Sequence, residues 1–580
     1  MSKVVNEAKA QIKTIILEAV GKAIAEEKLA AEPMNDFNIE VPADRNNGDF
    51  SSNAAMVNAR AFKTAPRKIA DTIKEYADIE DSYFSKVEVA GPGFINFYLS
   101  QKFYVDVLLD ISRCGDNYGR SDYGKGEKIN VEFVSANPTG PMHMGNARGG
   151  ALGDCLAAVL DYAGYEVSRE FYVNDAGNQI EKFGLSLDIR YQQLFKGEDE
   201  IELPEDSYHG ADIIERAKEF ADVYGDAYLE KDEKERREAL IRFALPLNIE
   251  NMKSAMEKYR IKYDLWFSEL SLHNSSELKD TLDILKNNGC TYEKDGALWY
   301  KNTEVQTRIL KRNGKTDAEI EKLELKDDVL IRANGNPTYF LADIAYHRNK
   351  FMRGFDRTVD VWGADHHGHV ARMKGAMEAI GIDSDRFDVV LMQLVRLMKD
   401  GQPVKMSKRT GKAITLTDLL DEVPIDAVRF LFNMREAGST MDFDLDLAVK
   451  ESSDNPVYYC QYAHARICSI LRKLNEQGIN PTDCTDKQLM LLTAPEEKEL
   501  IRHLSSLTDT VIAAAKTYDP AKMTHFVLEL ATLFHKFYNA CRVSVDDDNL
   551  MQARLFLCVC VKDTIKNVLN MLKIDAPEKM

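Results

Sequence analysis

The chain begins with apolar and polar positions that alternate at the spacing of an amphipathic helix. From Val5 to Val20 the apolar residues recur every three or four positions, which places them on one helix face. Two strand-like runs, 87–90 and 94–99, follow a polar, turn-rich segment and are separated by a Gly-Pro-Gly turn. Residues 1–112 therefore predict a small α+β domain, with a glycine-spaced connector at 113–127.

The central region predicts an α/β domain. An uninterrupted apolar run at 129–134 predicts a buried strand, and apolar residues at helical spacing predict a helix over 146–164. A strand, a loop and a helix in this order begin a doubly wound, Rossmann-like parallel sheet. Runs at 359–362 and 389–395 continue the sheet, with a helix from about 366 to 380 between them.

The two remaining regions have helical patterns. Residues from about 180 to 330 are highly charged, with a hairpin predicted near 290–300, and we expect them to form a helical insertion in the α/β domain, 128–455. From 456 to 580 we expect an all-α helical bundle. Its helices are predicted at 459–474, 496–517, 522–540 and 550–572.

Composition restricts the class of protein. A chain of 580 residues, 44% hydrophobic and 29% charged, describes a soluble globular protein with three or four domains. The N-terminus lacks the apolar core of a signal peptide, and the run 555–561 is too short to span a bilayer. We expect a cytoplasmic protein that does not bind a membrane. Nine cysteines without a C-x-x-C pair argue against a disulfide framework and a structural zinc site.

The net charge of −19 opposes binding to a polyanion, but its distribution does not. The region from 456 to the end contains equal numbers of acidic and basic residues, so the acidity lies elsewhere. The segment 396–412 has six Lys and Arg residues and one Asp. These local balances permit RNA binding without predicting it.

A first candidate motif is the loop 135–148, which contains glycines and prolines and follows the strand 129–134. His143 lies where the next helix begins, and free backbone N–H groups at a helix start bind anions. Gly145 allows a nucleotide to approach the backbone closely. The alternative is that His143 only caps or packs against the helix.

A second motif, at 403–411, brings two ammonium groups and a hydroxyl into a loop bounded by glycines. Lys405, Ser407 and Lys408 are suited to stabilise the negative charge that develops on a reacting α-phosphate and on pyrophosphate, each by about 10²–10³ in rate. The alternative is a solvated basic loop. Both motifs together, each after a strand, indicate nucleotidyl transfer.

These motifs resemble two family signatures. Pro141-Met-His-Met-Gly-Asn146 resembles the HIGH signature, and Lys405-Met-Ser-Lys408 the KMSK signature, of class I aminoacyl-tRNA synthetases. Over essentially the whole chain, the sequence is similar to bacterial arginyl-tRNA synthetases. The segments that carry this similarity are 91–97, 131–148, 172–179, 339–346, 362–369, 426–430 and 574–580.

The resemblance implies an ATP-dependent ligase that joins L-arginine to tRNA(Arg) through an arginyl-adenylate and releases AMP and pyrophosphate. It implies ATP with Mg²⁺ as substrate, an N-terminal domain that contacts the tRNA core, and an anticodon-binding domain at 456–580. It also implies that adenylate formation requires bound tRNA. We further expect a monomer.

The resemblance also implies which residues act. His143, Lys405 and Lys408 are the expected catalytic residues. The expected ATP-binding residues are Pro141, His143, Gly145, Asn146, Gly363, Asp365, His366, Met406, Ser407 and Lys408. Asn146 departs from a frequent family histidine, and an asparagine donates hydrogen bonds but cannot be cationic.

A guanidinium group is a planar fork of hydrogen-bond donors, so its pocket requires carboxylates and other acceptors. The resemblance assigns this pocket to Glu132, Tyr339 and Asp343, and it places Ser135 and Asn137 near the α-amino and carboxylate ends of the arginine. A buried carboxylate that a wrong substrate leaves unpaired rejects that substrate strongly, on the order of 10⁴-fold. Without the resemblance, Asp343 is equally well explained as a surface or capping residue.

The candidate tRNA contacts are aromatic and cationic, because unstacked bases are bound by stacking and by fixed cations. They are Tyr459, Tyr462, Arg466 and Tyr538; individually, such aromatic residues are more often part of a core. His366, His367 and His369 are bunched at one helix start, where side chains diverge, so we expect no protein-bound metal and no zinc.

Two other functions fit parts of the sequence. An enzyme that transfers an acyl-adenylate to a small thiol or amine would not need the large helical C-terminal domain. A regulator without catalytic activity would be expected to lack one of the two signature loops. Both signatures and the helical region are present in this chain.

Overall fold

The computed structural model describes residues 3–42, 44–404 and 414–580. The N-terminal region contains a four-stranded antiparallel sheet in the order β1-β2-β4-β3, with the apolar face of α1 buried against the core. Its elements are α1 (Lys3–Ala25), β1 (Ile39–Glu40), β2 (Phe50–Ser52), α2 (Ala54–Val57), α3 (Pro66–Tyr76), β3 (Phe84–Ala90), β4 (Phe94–Leu99) and α4 (Gln101–Cys114).

The first half of the central region alternates strands and helices. Its elements are β5 (Lys128–Glu132), α5 (Gly145–Tyr162), β6 (Glu166–Val173), α6 (Asn178–Lys196), α7 (Ala211–Tyr224), α8 (Glu233–Lys258), β7 (Leu265–Ser268), α9 (Glu269–His273), α10 (Glu277–Asn287), β8 (Thr291–Lys294), β9 (Ala297–Tyr300), α11 (Asn302–Arg312), α12 (Asp317–Glu321) and β10 (Asp328–Ile331).

The second half completes the sheet and adds a smaller one. Its elements are α13 (Tyr339–Met352), β11 (Arg357–Gly363), α14 (His367–Ala379), β12 (Phe387–Met392), β13 (Val395–Lys399), β14 (Gln402–Val404), α15 (Leu416–Glu422), α16 (Ile425–Phe432), β15 (Met441–Asp444) and α17 (Leu445–Ala448).

The main sheet has five parallel strands in the order β12-β11-β5-β6-β7. This confirms the predicted doubly wound α/β fold. The strand order reverses at β5, and ligands of such sheets bind outside the carboxyl ends of the strands at this point. Helix α5 lies close to the sheet because Gly153 faces the ring of Phe133 and leaves no room for a side chain.

The segment from about 180 to 330 is mostly helical, and the predicted hairpin is present as β8 and β9, which β10 joins in a three-stranded sheet. The expectation of one continuous insertion was wrong in one respect. Strand β7 returns to the main sheet and pairs in parallel with β6. It is only four residues long and lies between charged helices, so its pattern gave little signal.

A second expectation was also wrong, because the run 389–395 is not one strand. Strand β12 ends at Met392, and β13 begins at Val395 in a separate sheet of order β14-β13-β15. Asp400 and Gly401 both have positive φ values, 52° and 69°, and make the tight turn from β13 to β14. This hairpin leads directly into the second motif.

The C-terminal region is helical, as predicted. Its helices are α18 (Pro456–Asn475), α19 (Asp486–Leu489), α20 (Pro495–Ser505), α21 (Leu507–Thr517), α22 (Ala521–Ala540) and α23 (Asp548–Met571). The predicted helix 496–517 is divided into α20 and α21 at Ser506. Cys558 and Cys560 are buried in the core, and the nine cysteines are free thiols.

The three regions contact one another through polar bonds. Arg502 on α20 forms an ion pair with Asp49 of the N-terminal region, with 2.8 Å between Nε and Oδ1. Arg429 on α16 is fully buried and donates from Nε to the carbonyl of Leu572 at 2.8 Å. Among residues 3–42, 44–404 and 414–580, no helix has the length and apolar character that a membrane crossing requires.

Candidate active site

The loop after β5 is strained and turns back over the carboxyl ends of the sheet. Val134 and Ser135 have φ values of 72° and 44°, and a left-handed conformation in non-glycine residues costs about 1–3 kcal/mol each. The turn brings Ser135 Oγ to Glu132, where it donates to Oε1 at 2.8 Å, and it accepts from the Tyr172 N–H at 3.1 Å. The loop therefore fixes Ser135 between β5 and β6.

The first motif ends at the start of α5, which begins at Gly145. His143 is exposed at this helix start, and Pro141 is exposed beside it. The Asn146 side chain points back and accepts a hydrogen bond from the His143 N–H at 3.0 Å. Asn146 thus acts as an acceptor that orders the backbone of His143.

The first motif pairs with the chain that follows the second motif. Met144 N–H donates to the carbonyl of Ile414 at 3.1 Å, and Leu416 N–H donates to the carbonyl of Met142 at 2.9 Å. His143 and Thr415 face each other in this short antiparallel pairing. The expected site residues Lys405, Met406, Ser407 and Lys408 lie outside the described residues.

A cleft of about 880 Å³ lies along this pairing. The cleft is formed by the first motif, by the start of α7 and by the start of α15. Its lining includes the predicted site residues Asn137, Pro141, His143 and Asn146, and also Asp212, Glu215, Thr415 and Asp418. His143 is exposed at this cleft, and Asp212, Glu215 and Asp418 are the acidic residues of the lining.

Buried carboxylates lie on the other side of the β5 loop. Glu132 ends β5 and is 7% exposed, and Glu269 follows β7 and is 2% exposed. The Tyr172 hydroxyl is hydrogen bonded to Glu269. Burial raises the pKa of Tyr172, and the nearby carboxylates of Glu269, Asp343 and Glu132 raise it further. These four groups therefore form one acidic pocket.

Asp343 and Tyr339 enter this pocket from α13. Asp343 Oδ2 lies 3.1 Å from His369 Nε2, and Arg372 Nη2 lies 3.0 Å from His369 Nδ1. Because Arg372 can only donate, Nδ1 accepts and the proton on Nε2 is donated to Asp343. The Tyr339 hydroxyl accepts from the Asn178 N–H at 2.9 Å, and its ring packs on Gly177, which has a φ of 75°.

Asn137 is exposed beside this pocket, and it lies next to Asn174. With its amide oriented by its hydrogen-bond partners, Asn174 donates to Glu269 Oε2 at 2.8 Å. Sequence reasoning missed Glu269 because β7 went unrecognised. A strand that ends in an acid at the carboxyl edge of the sheet was the available signal.

The remaining predicted ATP-binding residues follow β11, the neighbour of β5. Gly363 ends the strand, and Asp365 and His366 are exposed in the 3-10 turn that follows it. They lie at the carboxyl edge of the sheet, as does Glu132 at the end of β5. The structure therefore brings the predicted residues of both strands to one edge.

Within the described residues, one group offers three metal-ligand atoms within 4.8 Å of one another, and it is Glu132, His347 and Asp360. The ammonium of Lys350 donates to both carboxylates of this group, so a cation of the protein already neutralises them. The histidines at 366, 367 and 369 do not form such a group.

The four candidate tRNA contacts lie together on α18 and α22. The Arg466 guanidinium lies 4.3 Å from the centre of the Tyr538 ring and 5.8 Å from that of Tyr462. A cavity of about 490 Å³ beside them is lined by further cations, Arg472, Lys473 and Lys579. The arrangement presents aromatic and cationic groups on one surface.

His535 lies beneath this surface and was not predicted. Its ring is 5.0 Å from the Tyr459 ring and 5.8 Å from the Tyr462 ring, between centres. Burial, together with the charge of Arg466, lowers the pKa of His535 to about 4. The imidazole is therefore neutral at pH 7 and supports the two tyrosine rings as an aromatic group.

Three family models match the chain in order. They are "Arginyl tRNA synthetase N terminal domain" at residues 10–99, "tRNA synthetases class I (R), catalytic domain" at 113–460, and "DALR anticodon binding domain" at 460–580. The solved structure of a putative arginyl tRNA synthetase from Campylobacter jejuni is similar, with a TM-score of 0.72 and 33% identity over 83% of this chain and 100% of that one.

The fold is also that of the Thermus thermophilus arginyl-tRNA synthetase, with a TM-score of 0.71 at 21% identity over 97% of this chain and 99% of that one. Among curated relatives, the arginine–tRNA ligases of Caldanaerobacter subterraneus subsp. tengcongensis and Acetivibrio thermocellus are 54% and 51% identical, with 100% of each chain covered. From the order of the three matched regions and the full-length relatives, the chain belongs to the arginyl-tRNA synthetases of class I.

Proposed function

We propose that this protein ligates L-arginine to tRNA(Arg) in an ATP-dependent reaction, with the substrates bound along the carboxyl edge of the main sheet. The reaction is the one that the family's arginine–tRNA ligases are named for. The observation that carries it is the position of the cleft beside the acidic pocket, because Asn137 lines the cleft and lies next to Asn174, which donates to Glu269. A phosphate ligand at His143 and a guanidinium in the acidic pocket can therefore bind at neighbouring positions.

Arginine binds in the acidic pocket. Asp343, Glu269 and the Tyr339 hydroxyl provide acceptors for the guanidinium fork, which is itself a set of donors only. Glu132, Ser135 and Asn137 hold the α-amino and carboxylate ends near the cleft. Support comes from the burial of Glu132 and Glu269, because a buried carboxylate favours a cation that can pair with it.

ATP enters with Mg²⁺ as the second substrate, which is what the class uses. Its nucleoside lies on Gly145 and against Gly363, Asp365 and His366, and its phosphates lie at His143, Pro141 and Asn146. We assign contacts with the phosphates also to Met406, Ser407 and the lysines 405 and 408 of the second motif. The pairing of Met144 with Ile414 supports this assignment, because it brings the chain that follows the second motif to the first motif.

The chemistry has two steps. A carboxylate oxygen of arginine attacks the α-phosphorus of ATP, the bond to pyrophosphate breaks, and arginyl-adenylate forms. His143 and Lys408, supported by Lys405 and Ser407, stabilise the charge on the phosphates, since such electrostatic placement is the main contribution in phosphoryl transfer. A terminal ribose hydroxyl of the tRNA then attacks the acyl carbon, and AMP leaves.

The tRNA is held by the helical region as well as by the central one. Tyr459, Tyr462, Arg466 and Tyr538 provide stacking surfaces and a cation for unpaired bases. We propose domains at 1–112, 128–455 and 456–580, with the N-terminal domain on the tRNA core. The enzyme works in the cytoplasm, as a monomer, and without bound zinc.

An aminoacylation assay tests the proposal. Purified protein is incubated with total tRNA, ATP-Mg²⁺ and each of the twenty amino acids, and we expect charging with arginine alone. Pyrophosphate exchange measured with and without tRNA shows whether the first step requires tRNA. Charging with another amino acid would overturn the proposal, as would transfer of the arginyl group to a small thiol or amine, and a complete lack of adenylate formation would favour a regulator.

A further inference from the structure

A buried network of ionic groups lies directly beneath the proposed arginine pocket. Lys350 on α13 is 0% exposed, and its ammonium donates to Glu132 Oε2 at 2.5 Å and to Asp360 Oδ1 at 2.8 Å. The same ammonium lies 4.6 Å from the centre of the Tyr346 ring. Glu132 is therefore held by Lys350 on one oxygen and by Ser135 on the other.

His347 extends the network toward the other end of the pocket. Its Nε2 lies 2.7 Å from Asp360 Oδ2, and its Nδ1 lies 2.7 Å from the carbonyl oxygen of Asp343. Both ring nitrogens of His347 therefore lie within hydrogen-bond distance of an oxygen, one on the Asp360 side chain and one on the backbone of Asp343. The network therefore runs from the Glu132 side chain to the backbone of Asp343.

The network contains the carboxylates of Glu132 and Asp360, the ammonium of Lys350 and the imidazole of His347. Buried ion pairs of this kind contribute little net stability, because the loss of hydration offsets their attraction. What such a network does is hold each member in one place, and its two ends are both members of the proposed pocket.

We propose that Lys350 and His347 are positioning residues for arginine, with Lys350 fixing the carboxylate of Glu132 and His347 fixing the segment of α13 that carries Asp343. The inference rests on the proposed function, since it assigns a role within that pocket. Neither residue contacts the substrate, because they are 0% and 3% exposed beneath the pocket.

The physical reason lies in the burial of Glu132. Burial raises the pKa of this carboxyl group, and the Lys350 ammonium opposes that rise. Without the ammonium, Glu132 would tend to take up a proton and would lose an acceptor for the α-amino group. It would also be free to rotate, because one of its two hydrogen-bond partners would be missing.

The test compares two variants. Lys350→Met removes the cation. Lys350→Met with Asp360→Asn removes the cation together with one carboxylate, so that the net charge of the protein is unchanged in this second variant. The Michaelis constants for arginine, ATP and tRNA, the kcat and the Tm are measured for each. We expect the arginine KM to rise at least about 10-fold in both variants, with the other two constants within 2-fold of wild type.

A matched control is Arg169→Met. Arg169 Nε donates to the buried Asp154 at 2.9 Å, and Asp154 keeps a second partner in Arg429, so this variant also removes one cation from a buried carboxylate. None of these three residues belongs to the proposed arginine pocket. We expect a lowered Tm with an unchanged arginine KM.

An unchanged arginine KM in the charge-balanced variant would overturn the proposal, because the network would then serve folding alone. An equal rise in the Michaelis constants for arginine, ATP and tRNA would also overturn the proposal. So would a failure of both variants to accumulate as folded protein. Failure of the proposed function itself is distinguishable, because the wild-type protein would then not charge tRNA with arginine at all.

Discussion

The two sides of the proposed active site are built differently. On the arginine side, Glu132 and Glu269 are buried, and each carboxylate of the pocket already has a hydrogen-bond partner. On the phosphate side, His143, Asp365 and His366 are exposed. The carboxylates of the first side are held in place by bonds within the protein, and the second side offers groups at an open surface.

The difference follows from the ligands. Arginine presents a flat cation of fixed geometry, and a rigid set of acceptors selects it because an unmatched substrate leaves buried acceptors unpaired. A triphosphate changes its charge distribution during the reaction, and it is served best by groups that meet it where charge develops. Selection of the amino acid and acceleration of the reaction are thus assigned to opposite sides of the β5 loop.

The largest expected effect comes from a substitution on the phosphate side. His143→Ala should lower kcat for pyrophosphate exchange, measured with tRNA present, by about 10²–10³, because it removes a donor to the reacting phosphates. The arginine KM should stay within 2-fold. Since His143 is exposed, the free energy of unfolding should change by less than about 0.5 kcal/mol.

The control is His525→Ala, another exposed histidine, which lies on α22 and should have no effect on the exchange rate. If the His143 variant exchanges pyrophosphate at the wild-type rate, the catalytic role assigned to this residue is wrong.

The second largest effect comes from a substitution on the arginine side. Asp343→Asn should raise the arginine KM by about 10–100-fold, because a hydrogen bond to a charged group contributes about 1.5–3 kcal/mol. In addition, the N–H groups of the new amide cannot accept a hydrogen bond from the guanidinium group of arginine. The KM for ATP should not change. The arginine KM is measured by steady-state aminoacylation, with Asp280→Asn, another half-buried aspartate on a helix, as the control. An arginine KM equal to that of the control would refute the role.

A smaller effect concerns the tRNA surface, which is remote from both sides. Tyr462→Ala should raise the KM for tRNA by about 10-fold, because stacking of one base contributes about 1–3 kcal/mol. The matched control is Tyr123→Ala, an exposed tyrosine that also lies near a cation, with Lys516 at 5.0 Å from its ring centre. Equal tRNA constants in the two variants would argue against a role for this surface.

Point substitutions are preferable here to removal of the helical region. Arg429 is buried against the carbonyl of Leu572, so a chain cut at 456 would leave a fully buried guanidinium without that partner. Loss of charging in such a truncation would report damage to the central domain as well as loss of tRNA contacts.

The smallest effect is on stability in acid. The pKa of His535 is lowered to about 4, below the value of about 6.5 that an unfolded chain has, so the unfolded state binds more protons between these values. The contribution of the neutral His535 to the free energy of unfolding is therefore fully present above pH 6.5, and it is lost as the pH falls toward 4. His535→Phe should narrow the difference in Tm between pH 7 and pH 5.

In the His535→Phe variant, the difference in Tm between pH 7 and pH 5 should become smaller but should not vanish. The reason is that burial also lowers the pKa of His464 and His503 in the same region. A variant whose Tm falls in acid as steeply as that of wild type would show that His535 is not buried beneath the tyrosines.

The sequence predicted those parts of the fold that long patterns encode. Strand β5, helix α5 and the C-terminal helices have periodic runs of many residues, whereas β7 has four residues and was missed. The break between β12 and β13 was missed because a single polar residue, Gln393, interrupts the apolar run there. One polar position in such a run is also common within a strand, so the local pattern does not show that the chain changes from one sheet to another.

The candidate site was predicted from motifs, and a motif identifies only those site residues that lie within it. Glu269 was missed because it follows the missed strand β7. The Lys350 network was missed because its partners are far apart, with 218 positions between Lys350 and Glu132. Pairings over such distances arise from the order of the strands and are not visible in a linear sequence.

The two left-handed residues after β5 have a consequence for attempts to make the protein more robust. A glycine at position 134 would adopt its conformation without steric conflict, but Val134→Gly would also remove a side chain that packs against the core. The same change would let Ser135 leave its two partners more readily. Relief of strain at this backbone torsion therefore comes with a looser hold on the Glu132 carboxylate, which accepts from Ser135.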